Sequence, residues 1–272
     1  MTVTIRENDI IESVADALQS ISYFHPMDYI RALGDAYEKE QGPAAKDAIA
    51  QILTNSRMCA EGHRPICQDT GIVTVIVKWG QQCILDSHRS LQEVIDEGVR
   101  RAYLHPENKL RASILADPAF TRVNTRDNPP SVFHLELLPG DKVRFDVAAN
   151  GGGSENKTKF KMMNPSDSIV DWVLEMVPQM GAGWCPPGML GIGVGGTAEK
   201  AALLAKQALM DDIDMHELLQ RGPASKLEEL RIELYEKVNA LGIGAQGLGG
   251  LTTVLDVKIR TFPTHAASKP IA

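Results

Sequence analysis

Apolar residues recur at helical intervals through the first part of the chain. The pattern begins at Ile10, which predicts a helix capped at its start by Asn8 or Asp9. A second helix is predicted over 26–41, where Gly-Pro stops it, and a third from there to about Cys59. The amino-terminal part of the chain is therefore predicted to be helical.

The pattern changes between Gly71 and Trp79, where β-branched residues follow one another. Such a run is typical of a buried strand. Further on, Ser131–Leu138 and Lys142–Ala149 flank the turn sequence Pro139-Gly140-Asp141, which predicts a β-hairpin. A last strand is predicted over Leu251–Arg260.

Helices are also predicted between and after these strands. Ser90 is placed to cap a helix that runs to Leu104, and Asn164 to cap one that starts at Pro165. Two more are predicted over 197–210 and 225–241. Because helices and strands interleave and a hairpin is included, we expect an α+β fold. Helices would pack on antiparallel or mixed sheets in a single large domain.

Composition and charge exclude several classes of protein. The 272 residues carry a formal net charge of −7 and have no block rich in Lys or Arg, so no nucleic-acid partner is expected. Apolar runs are too short for a membrane span, and the amino terminus does not have the pattern of a signal peptide. A cytoplasmic location without membrane contact is therefore expected.

Four cysteines in a reducing compartment are not expected to form disulfides. They are Cys59, Cys67, Cys83 and Cys185. One interpretation is four buried or incidental thiols. A structural zinc site around Cys59 and Cys67 is another, with His63 between them, but no two cysteines have the close spacing of zinc ligands.

Two glycine-rich segments match the dinucleotide-binding pattern G-x-G-x-x-G. Gly191–Gly196 precedes a predicted helix, but Gly183–Gly188 stands where an apolar strand is required. Gly242–Gly247 matches again and precedes a strand instead of a helix. We therefore do not assign a nicotinamide or flavin site to either segment.

Three segments carry residues suited to chemistry. The first, Cys67-Gln68-Asp69-Thr70-Gly71, places a thiolate, an amide, a carboxylate and a hydroxyl just ahead of the predicted strand. In one interpretation Asp69 acts as a general acid or base. In the other, the segment is an ordinary turn. In Gly183–Gly188, proline follows Cys185, a step that recurs among iron–sulfur ligands. Asn150–Lys157 contains three glycines that form either an anion-binding nest or a flexible turn.

Together with Leu241–Gly250 and Pro263–Ser268, these segments resemble the class I iron–sulfur fumarate hydratases. The two-subunit fumarases and the L-tartrate dehydratases are related to them, and the resemblance covers nearly the whole chain. It implies a hydro-lyase that interconverts fumarate and L-malate, a reaction of the tricarboxylic acid cycle. It also implies a 4Fe-4S cluster with one open iron that acts as a Lewis acid.

The resemblance also implies which cysteines bind the cluster. Cys67 matches the first ligand and Cys185 the second, whereas Cys59 and Cys83 match none and are interpreted as structural. The third ligand is expected beyond His265–Ser268, outside the sequence, which ends at Ala272. Residues 1–272 are therefore expected to be the N-terminal cluster-binding domain, cut before the third cysteine and lacking the catalytic C-terminal domain.

Five residues match substrate-contacting positions of the family: Gln68, Asp69, Arg111, Gly153 and His265. Asp69 and His265 are the catalytic candidates, and the Arg111 guanidinium suits a substrate carboxylate. By themselves, Arg111 could equally be a surface residue and His265 a loop histidine. Asn150 departs from the family, because many relatives have lysine there.

The resemblance implies that further substrate-binding groups lie on a C-terminal domain or β subunit. The chain alone is therefore expected to have negligible hydratase activity, and it is expected to act as a homodimer on a small dicarboxylate. Tartrate or another hydroxy-dicarboxylate is an alternative substrate. A scaffold or regulatory protein that keeps the fold without the cluster is an alternative of a different class.

Overall fold

The computed structural model describes residues 2–272, in which helices interleave with short strands. The helices are α1 (Glu7–Tyr23), α2 (Met27–Lys39), α3 (Pro43–Gly62), α4 (Leu91–Tyr103), α5 (Gly152–Glu155), α6 (Ile169–Met180), α7 (Ala198–Ala208), α8 (Met215–Arg221) and α9 (Lys226–Ala240). The strands are β1 (Val3–Arg6), β2 (Ile72–Gly80), β3 (Cys83–Asp86), β4 (Val132–Leu138), β5 (Val143–Asn150), β6 (Lys161–Met163), β7 (Gly188–Gly195), β8 (Val254–Phe262) and β9 (Lys269–Ile271). The predicted α+β class is confirmed. No helix within residues 2–272 is long and apolar enough to span a membrane.

Contacts group the chain into two compact units. Unit 1 contains residues 2–24 and Asn55–Gly152, and unit 2 contains His25–Thr54 and Gly153–Ala272. The parallel pair β1-β3 and the sheet β4-β2-β5 belong to unit 1. The sheet β6-β9-β7-β8 belongs to unit 2. Each unit therefore has its own sheet, and each also has its own buried apolar residues.

In unit 1, β2 lies between β4 and β5, so the predicted hairpin is wrong. β4 runs parallel to β2 and β5 runs antiparallel to it. Consecutive residues from Val73 to Val77 are buried, so both faces of β2 are covered. A strand that is buried in this way needs backbone partners on both edges. The turn after β4 crosses the end of β2, where Gln81 N donates to Leu138 O at 2.8 Å and Gln82 N donates to Gly140 O at 3.0 Å.

The core of unit 1 forms between α1, α4 and the central strand. Val14, Val75 and Val99 are among its fully buried residues. Gly98 allows the two helices to approach closely, because a Cβ there would lie 2.8 Å from Val14 Cβ. The predicted cap of α4 is confirmed, since Ser90 accepts from Glu93 N in a capping box.

Two other predicted helix caps are wrong. Helix α1 follows directly from β1 and has Arg6 at its N-cap, so Asn8 and Asp9 lie inside its first turn. Helix α6 is capped by Ser168 and not by Asn164. Asn164 is held in a preceding turn, where its backbone N–H donates to Asp167 Oδ2 at 2.9 Å. In both cases several polar residues lie near the helix start, and the local sequence does not specify which of them becomes the cap.

In unit 2, the glycine segment rejected as a dinucleotide site is the strand β7 itself. Its residues pair in parallel with β8. The glycines allow α7 to lie against the strand: a Cβ at Gly193 would lie 2.6 Å from Ala205 N, and one at Gly191 would lie 2.6 Å from Leu209 Cγ. Close packing of helix and strand therefore accounts for the glycines of this segment.

A buried charge network also stabilises unit 2. Asp256 on β8 is fully buried and accepts from Arg231 at 3.0 Å and from Lys258 Nζ at 3.2 Å. Asp256 Oδ2 also accepts from the backbone N–H groups of Asp214 and Met215, where α8 begins. Arg231 and Lys258 both pair with the Asp214 carboxylate as well. The network holds two carboxylates against two cations, so the buried charges are neutralised.

Candidate functional site

Unit 1 contains the first predicted site segment, a loop that leads into β2. Cys67 and Gln68 are exposed on this loop, and Asp69 and Thr70 are half-buried. The Cys67 sulfur accepts from Asp69 N at 3.4 Å. The loop therefore presents a thiol to solvent and holds its sulfur beside a backbone N–H group.

Asp69 joins this loop to the glycine segment after β5. Gly71 N donates to its Oδ1 at 3.1 Å, and Gly152 N donates to its Oδ2 at 2.7 Å. Asp69 is thus a turn residue, as one interpretation of the sequence proposed, and it also contacts the predicted nest. Each carboxylate oxygen can still accept a further hydrogen bond, so the group can also contact a substrate.

Arg111 is held next to the same loop through its backbone. Thr70 Oγ1 donates to Arg111 O at 2.6 Å. The Arg111 side chain is exposed, and within residues 2–272 its guanidinium forms no hydrogen bond or ion pair. Unit 1 therefore brings Cys67, Asp69 and an unpaired arginine to neighbouring backbone segments.

Two residues that no sequence motif indicated, Tyr103 and Asn128, hydrogen bond to the backbone of the loop that carries Cys67. The Tyr103 hydroxyl donates to Thr70 O at 2.5 Å. Burial raises the pKa of Tyr103 to about 12, although that hydrogen bond opposes the shift, so the phenol remains a donor. Asn128 is fully buried, donates to Gly71 O at 3.2 Å and accepts from Ser113 N at 2.7 Å. Neither residue belongs to a motif that would have indicated this role.

Asn150, which departs from the family pattern, has a partner within the sheet. Its side-chain amide donates to Thr74 Oγ1 on β2 at 2.8 Å. The amide thus fixes the end of β5 against β2, immediately before the three glycines. This position contributes a neutral hydrogen bond to unit 1 where a lysine would contribute a charge.

Unit 2 contains the second predicted cluster ligand, Cys185. It is exposed, and its backbone has a φ of +58°, which is uncommon for a residue with a side chain. A cis peptide joins Pro186 to Pro187 directly after it. The Pro186 carbonyl accepts from both the backbone N and the side-chain Nε2 of Gln246, at 2.7 and 3.0 Å. Gln246 therefore holds the loop that carries this thiol through two hydrogen bonds to one carbonyl.

Gly153 and Lys157 lie beside the same loop of unit 2. A Cβ at Gly153 would lie 2.6 Å from Gly183 O. A Cβ at Gly183 would lie 2.6 Å from Lys157 Cε and 3.3 Å from Lys157 Nζ. The lysine side chain thus passes over the glycine two residues before Cys185. The sequence showed Lys157 only as part of the glycine-rich segment.

Tyr29 on α2 is a further residue near Cys185 that no motif indicated. Burial raises its pKa to about 12, and the negative charge of the nearby Cys185 thiolate adds a smaller contribution. The His25 ring lies against it, with ring centroids 4.7 Å apart. Burial also lowers the pKa of His25. Burial therefore favours the neutral form of both rings.

The structure does not bring His265 next to Cys185. Cys185 precedes β7, whereas His265 follows the far end of β8, the strand that runs parallel to β7. A strand of this length spans about 25 Å at the usual rise per residue. His265 lies in a turn where its Nδ1 accepts from Ala267 N at 3.1 Å.

The remaining cysteines are buried. Cys83 belongs to the core of unit 1, and the Cys59 thiol lies 3.6 Å from Asn55 Oδ1 and 3.7 Å from Pro65 O. His63, which the zinc interpretation required, stacks on Tyr23 with ring centroids 4.7 Å apart. Over residues 2–272, no three His, Cys, Asp or Glu side chains form a group that could hold a metal ion.

Comparison with known families defines the class of this protein. The model of the fumarate hydratase (Fumerase) family matches residues 11–272. The chain therefore belongs to this family of hydro-lyases, and the resemblance found in its sequence segments is confirmed.

Individual relatives are named as tartrate dehydratase subunits. A Methanocaldococcus jannaschii protein named "Putative L(+)-tartrate dehydratase subunit alpha" is 35% identical over 270 residues, which cover 96% of this chain and 92% of that protein. The L(+)-tartrate dehydratase subunit alpha of Escherichia coli O157:H7 and that of strain K12 are each 29% identical over 268 residues. These matches cover 97% of this chain and 86% of each relative. The chain is thus similar to α subunits over most of their length.

Proposed function

We propose that this chain is the cluster-binding part of a hydro-lyase that acts on a small hydroxy-dicarboxylate. One observation in unit 1 carries the proposal. The exposed Cys67 thiol, the Asp69 carboxylate and the unpaired Arg111 lie on two segments joined by the Thr70–Arg111 hydrogen bond. A thiolate ligand, a general acid–base group and a carboxylate-binding cation are the groups that such a reaction needs.

Cys67 and Cys185 are proposed as two of the three thiolate ligands of a 4Fe-4S cluster. Both cysteines are exposed, and both lie in loops that backbone N–H groups hold in place. A cysteine in a fixed, exposed loop can present its sulfur to a cluster without rearrangement of the backbone. The third ligand is not assigned to any residue of 1–272. When bound, the cluster would supply an open iron as a Lewis acid for the departing hydroxyl.

The other proposed roles belong to side chains and backbone groups of the chain. Arg111 would bind a substrate carboxylate through two parallel hydrogen bonds, and Gln68 would hydrogen bond to the same molecule. Gly153 would donate its backbone N–H. Asp69 and His265 are proposed to accept or donate the proton. For His265 this requires a substrate-bound arrangement different from the turn described above.

Fumarate hydration is the first candidate reaction, and tartrate dehydration is the second. The match to the fumarate hydratase family supports the first. The names of the relatives described above, which are tartrate dehydratase alpha subunits, support the second. Malate dehydration, which is the reverse of fumarate hydration, and tartrate dehydration both break a C–O bond in a four-carbon dicarboxylate, so the proposed roles of Arg111 and Asp69 hold for either one.

A partner chain and a homodimeric assembly are part of the proposal. The relatives are named as α subunits, which supports a β-type partner that carries the remaining substrate-binding groups. We propose that the chain alone has negligible activity and works in the cytoplasm.

Anaerobic reconstitution of the full-length protein with iron and sulfide tests the proposal. We expect the visible absorbance of an iron–sulfur cluster in the wild type and in Cys83→Ser, but not in Cys185→Ser. Cys83 is the matched control because its thiol is buried in the core of unit 1. If the wild type binds no cluster, the chain is a scaffold and the hydro-lyase proposal is wrong.

The reconstituted protein, together with its partner chain, is then assayed with malate, fumarate and tartrate. Turnover of malate and fumarate well above that of tartrate supports the first candidate. The opposite preference supports the second. Loss of cluster absorbance in Cys83→Ser, or its retention in Cys185→Ser, would contradict the ligand assignment.

A further inference from the structure

Lys157 is a half-buried cation whose ammonium has no partner of opposite charge within residues 2–272. Glu155, the nearest acidic residue in sequence, pairs with Lys206. The backbone of Lys157 is held in place, because its N–H donates to Ser154 O at 3.0 Å. Partial burial of an ammonium costs free energy unless an anion offsets its charge. Lys157 is therefore suited to an anion other than the carboxylates of the described residues.

The side chain of Lys157 lies across the loop that carries Cys185. A Cβ built on Gly183 would lie 2.6 Å from Lys157 Cε and 3.3 Å from its Nζ. Gly183 stands two residues before Cys185, and its carbonyl oxygen would lie 2.6 Å from a Cβ at Gly153. Glycine at both positions thus allows the lysine and its segment to approach this loop. The part of the lysine that contacts the loop is the end that carries the charge.

The same loop fits an iron–sulfur cluster in its shape and in the chemistry of its donor atom. Cys185 is exposed, so its sulfur is open to a bulky group. Small residues allow close backbone approach here, since a Cβ at Gly247 would lie 2.8 Å from Ala182 Cβ. Three thiolate ligands outweigh the positive charge of an oxidised 4Fe-4S core. A cluster with its thiolates is therefore an anion that would offset the charge of Lys157.

Two titratable side chains of unit 2, Tyr29 and His25, do not cancel or replace this charge. Burial raises the pKa of Tyr29 to about 12, so the phenol near Cys185 is neutral at neutral pH. Burial also lowers the pKa of His25, which favours the neutral imidazole. Neither ring therefore competes with Lys157 as a source of charge near Cys185.

We propose that the Lys157 ammonium is the counter-charge for the cluster that Cys185 helps to bind, and that it raises the reduction potential of this cluster. The inference rests on the proposed function, since it concerns the same cluster. A positive charge close to a redox centre favours the state that holds one more electron. Lys157 would act through its charge and does not need to touch the substrate.

A redox titration of the reconstituted full-length protein, with dithionite as the electron donor, tests the inference. Lys157→Gln is expected to make the cluster harder to reduce. At the potential where half of the wild-type clusters are reduced, the ratio of reduced to oxidised clusters should fall about tenfold, a shift of about 59 mV for one electron. Lys157→Arg keeps the charge and is expected to stay within about twofold of the wild type. Electron paramagnetic resonance of the reduced cluster measures the ratio.

Lys226→Gln is the matched control for the loss of one positive charge. Lys226 begins α9, and its side chain is 92% exposed. The other end of α9 leads to the segment of Gln246, which bonds to the Cys185 loop, so a helix of about 22 Å separates Lys226 from that segment. This variant is expected to leave the potential unchanged. Circular dichroism and urea unfolding of the cluster-free variants establish which of them are folded.

A double-mutant cycle tests whether Gly183 acts through the lysine. Gly183→Ala places a methyl group where the end of the Lys157 side chain lies, so the ammonium has to move. This variant is expected to lower the potential, as Lys157→Gln does. In the Lys157→Gln background the alanine is expected to add nothing, because the charge is already gone. Equal shifts in both backgrounds would contradict the contact between Gly183 and the lysine and overturn the inference.

The outcomes separate this inference from the proposed function. If the wild type binds no cluster, both are wrong. If it binds a cluster whose potential is the same in Lys157→Gln, only the counter-charge is wrong, and a higher Michaelis constant for malate in that variant would assign Lys157 to the substrate instead. If folded Lys157→Gln retains no cluster and Lys157→Arg does, the inference is supported. Should Lys157→Gln fail to fold, an unchanged potential in Gly183→Ala overturns the inference and a lower one supports it.

Discussion

At the scale of single residues, Glu40 shows how the backbone can hold a buried charge. It follows α2, is 3% exposed and accepts from Gly42 N at 2.9 Å and from Leu251 N at 2.8 Å. Burial alone would raise the pKa of this carboxyl. Hydrogen bonds from the backbone outweigh burial and lower the pKa, and they come from Gly42, Leu251, Gln41 and Thr252.

Replacing the carboxylate by an amide is expected to destabilise unit 2. Glu40→Gln turns an NH₂ group towards N–H donors that need an acceptor, which costs about 1–3 kcal/mol of unfolding free energy at neutral pH. The folded pKa lies below the ordinary value of 4.5, so the stabilisation is fully present above that pH and is lost as the pH falls through the folded pKa. Urea unfolding of both proteins across this range measures the difference.

Glu38→Gln provides the control for this measurement. Glu38 is exposed near the end of α2, so its replacement is expected to change the unfolding free energy by less than about 0.5 kcal/mol. A wild-type advantage over Glu40→Gln that stays constant down through acidic pH would contradict the proposed role of the ionised carboxylate.

Local sequence predicted some residue roles correctly and could not distinguish others. Ser90 was identified as a cap because Glu93 three residues later completes a capping box. Asn164 and Ser168 are both good caps, and the choice depends on a turn that Asp167 forms. Gln41 and Gly42 are neighbours of Glu40 in sequence, but Leu251 lies 211 positions further along the chain, so no local pattern could indicate that partner.

At the scale of elements, the strands were predicted more reliably than their pairing. Both arms of the expected hairpin exist, but β2 lies between them. Alternation of apolar residues predicts that a segment is extended, and it does not specify which neighbour supplies the hydrogen bonds. The buried run in β2 required two partners, and the arms on either side of Pro139 supplied them.

The glycines of β7 allow a prediction about helix packing. Gly193→Ala would place a methyl group 2.6 Å from Ala205 N and in collision with the Ala201 carbonyl, so α7 would have to move. We expect a loss of about 1–3 kcal/mol in unfolding free energy. Thermal and urea unfolding with the cluster absent measure this loss.

Gly34→Ala is a matched substitution with the opposite expected sign. Gly34 lies inside α2, and a Cβ there would have no atom within 4 Å. Alanine favours a helix over glycine by up to about 1 kcal/mol, so this variant is expected to be more stable than the wild type. Equal effects of the two substitutions would contradict the view that Gly193 is required for close packing.

At the scale of the whole molecule, class and family could be predicted from the sequence, whereas the arrangement of the site could not. Ordered segments such as Ile66–Gly71 and Gly183–Gly188 identified the family, because each keeps its residue types and its place in the chain. Tyr29, Tyr103 and Asn128 have no such signature. They act through contacts that only the folded chain creates, including bonds to the backbone of the first site loop.

The cysteines proposed to bind the cluster are different residues from those in the buried core. Cys67 and Cys185 are exposed and lie outside the buried apolar clusters of residues 2–272, whereas Cys83 is 7% exposed within one of them. In the cluster-free protein, Cys67→Ser and Cys185→Ser are expected to shift the unfolding free energy by less than about 0.5 kcal/mol. Cys83→Ser buries a hydroxyl in the core and is expected to cost about 1–3 kcal/mol.

Cys83→Ser is thus expected to lower stability most and to leave cluster binding intact, whereas Cys67→Ser and Cys185→Ser are expected to do the opposite. Measuring both stability and cluster content therefore separates the two roles. Urea unfolding under reductant and chelator gives the stability of each variant, and reconstitution gives its cluster content. Cys59→Ser is a useful intermediate, because its hydroxyl would find Asn55 Oδ1 and Pro65 O as acceptors and should cost less than Cys83→Ser. If Cys185→Ser unfolds the cluster-free protein, its loss of the cluster would follow from lost structure, and the ligand assignment would lose its support.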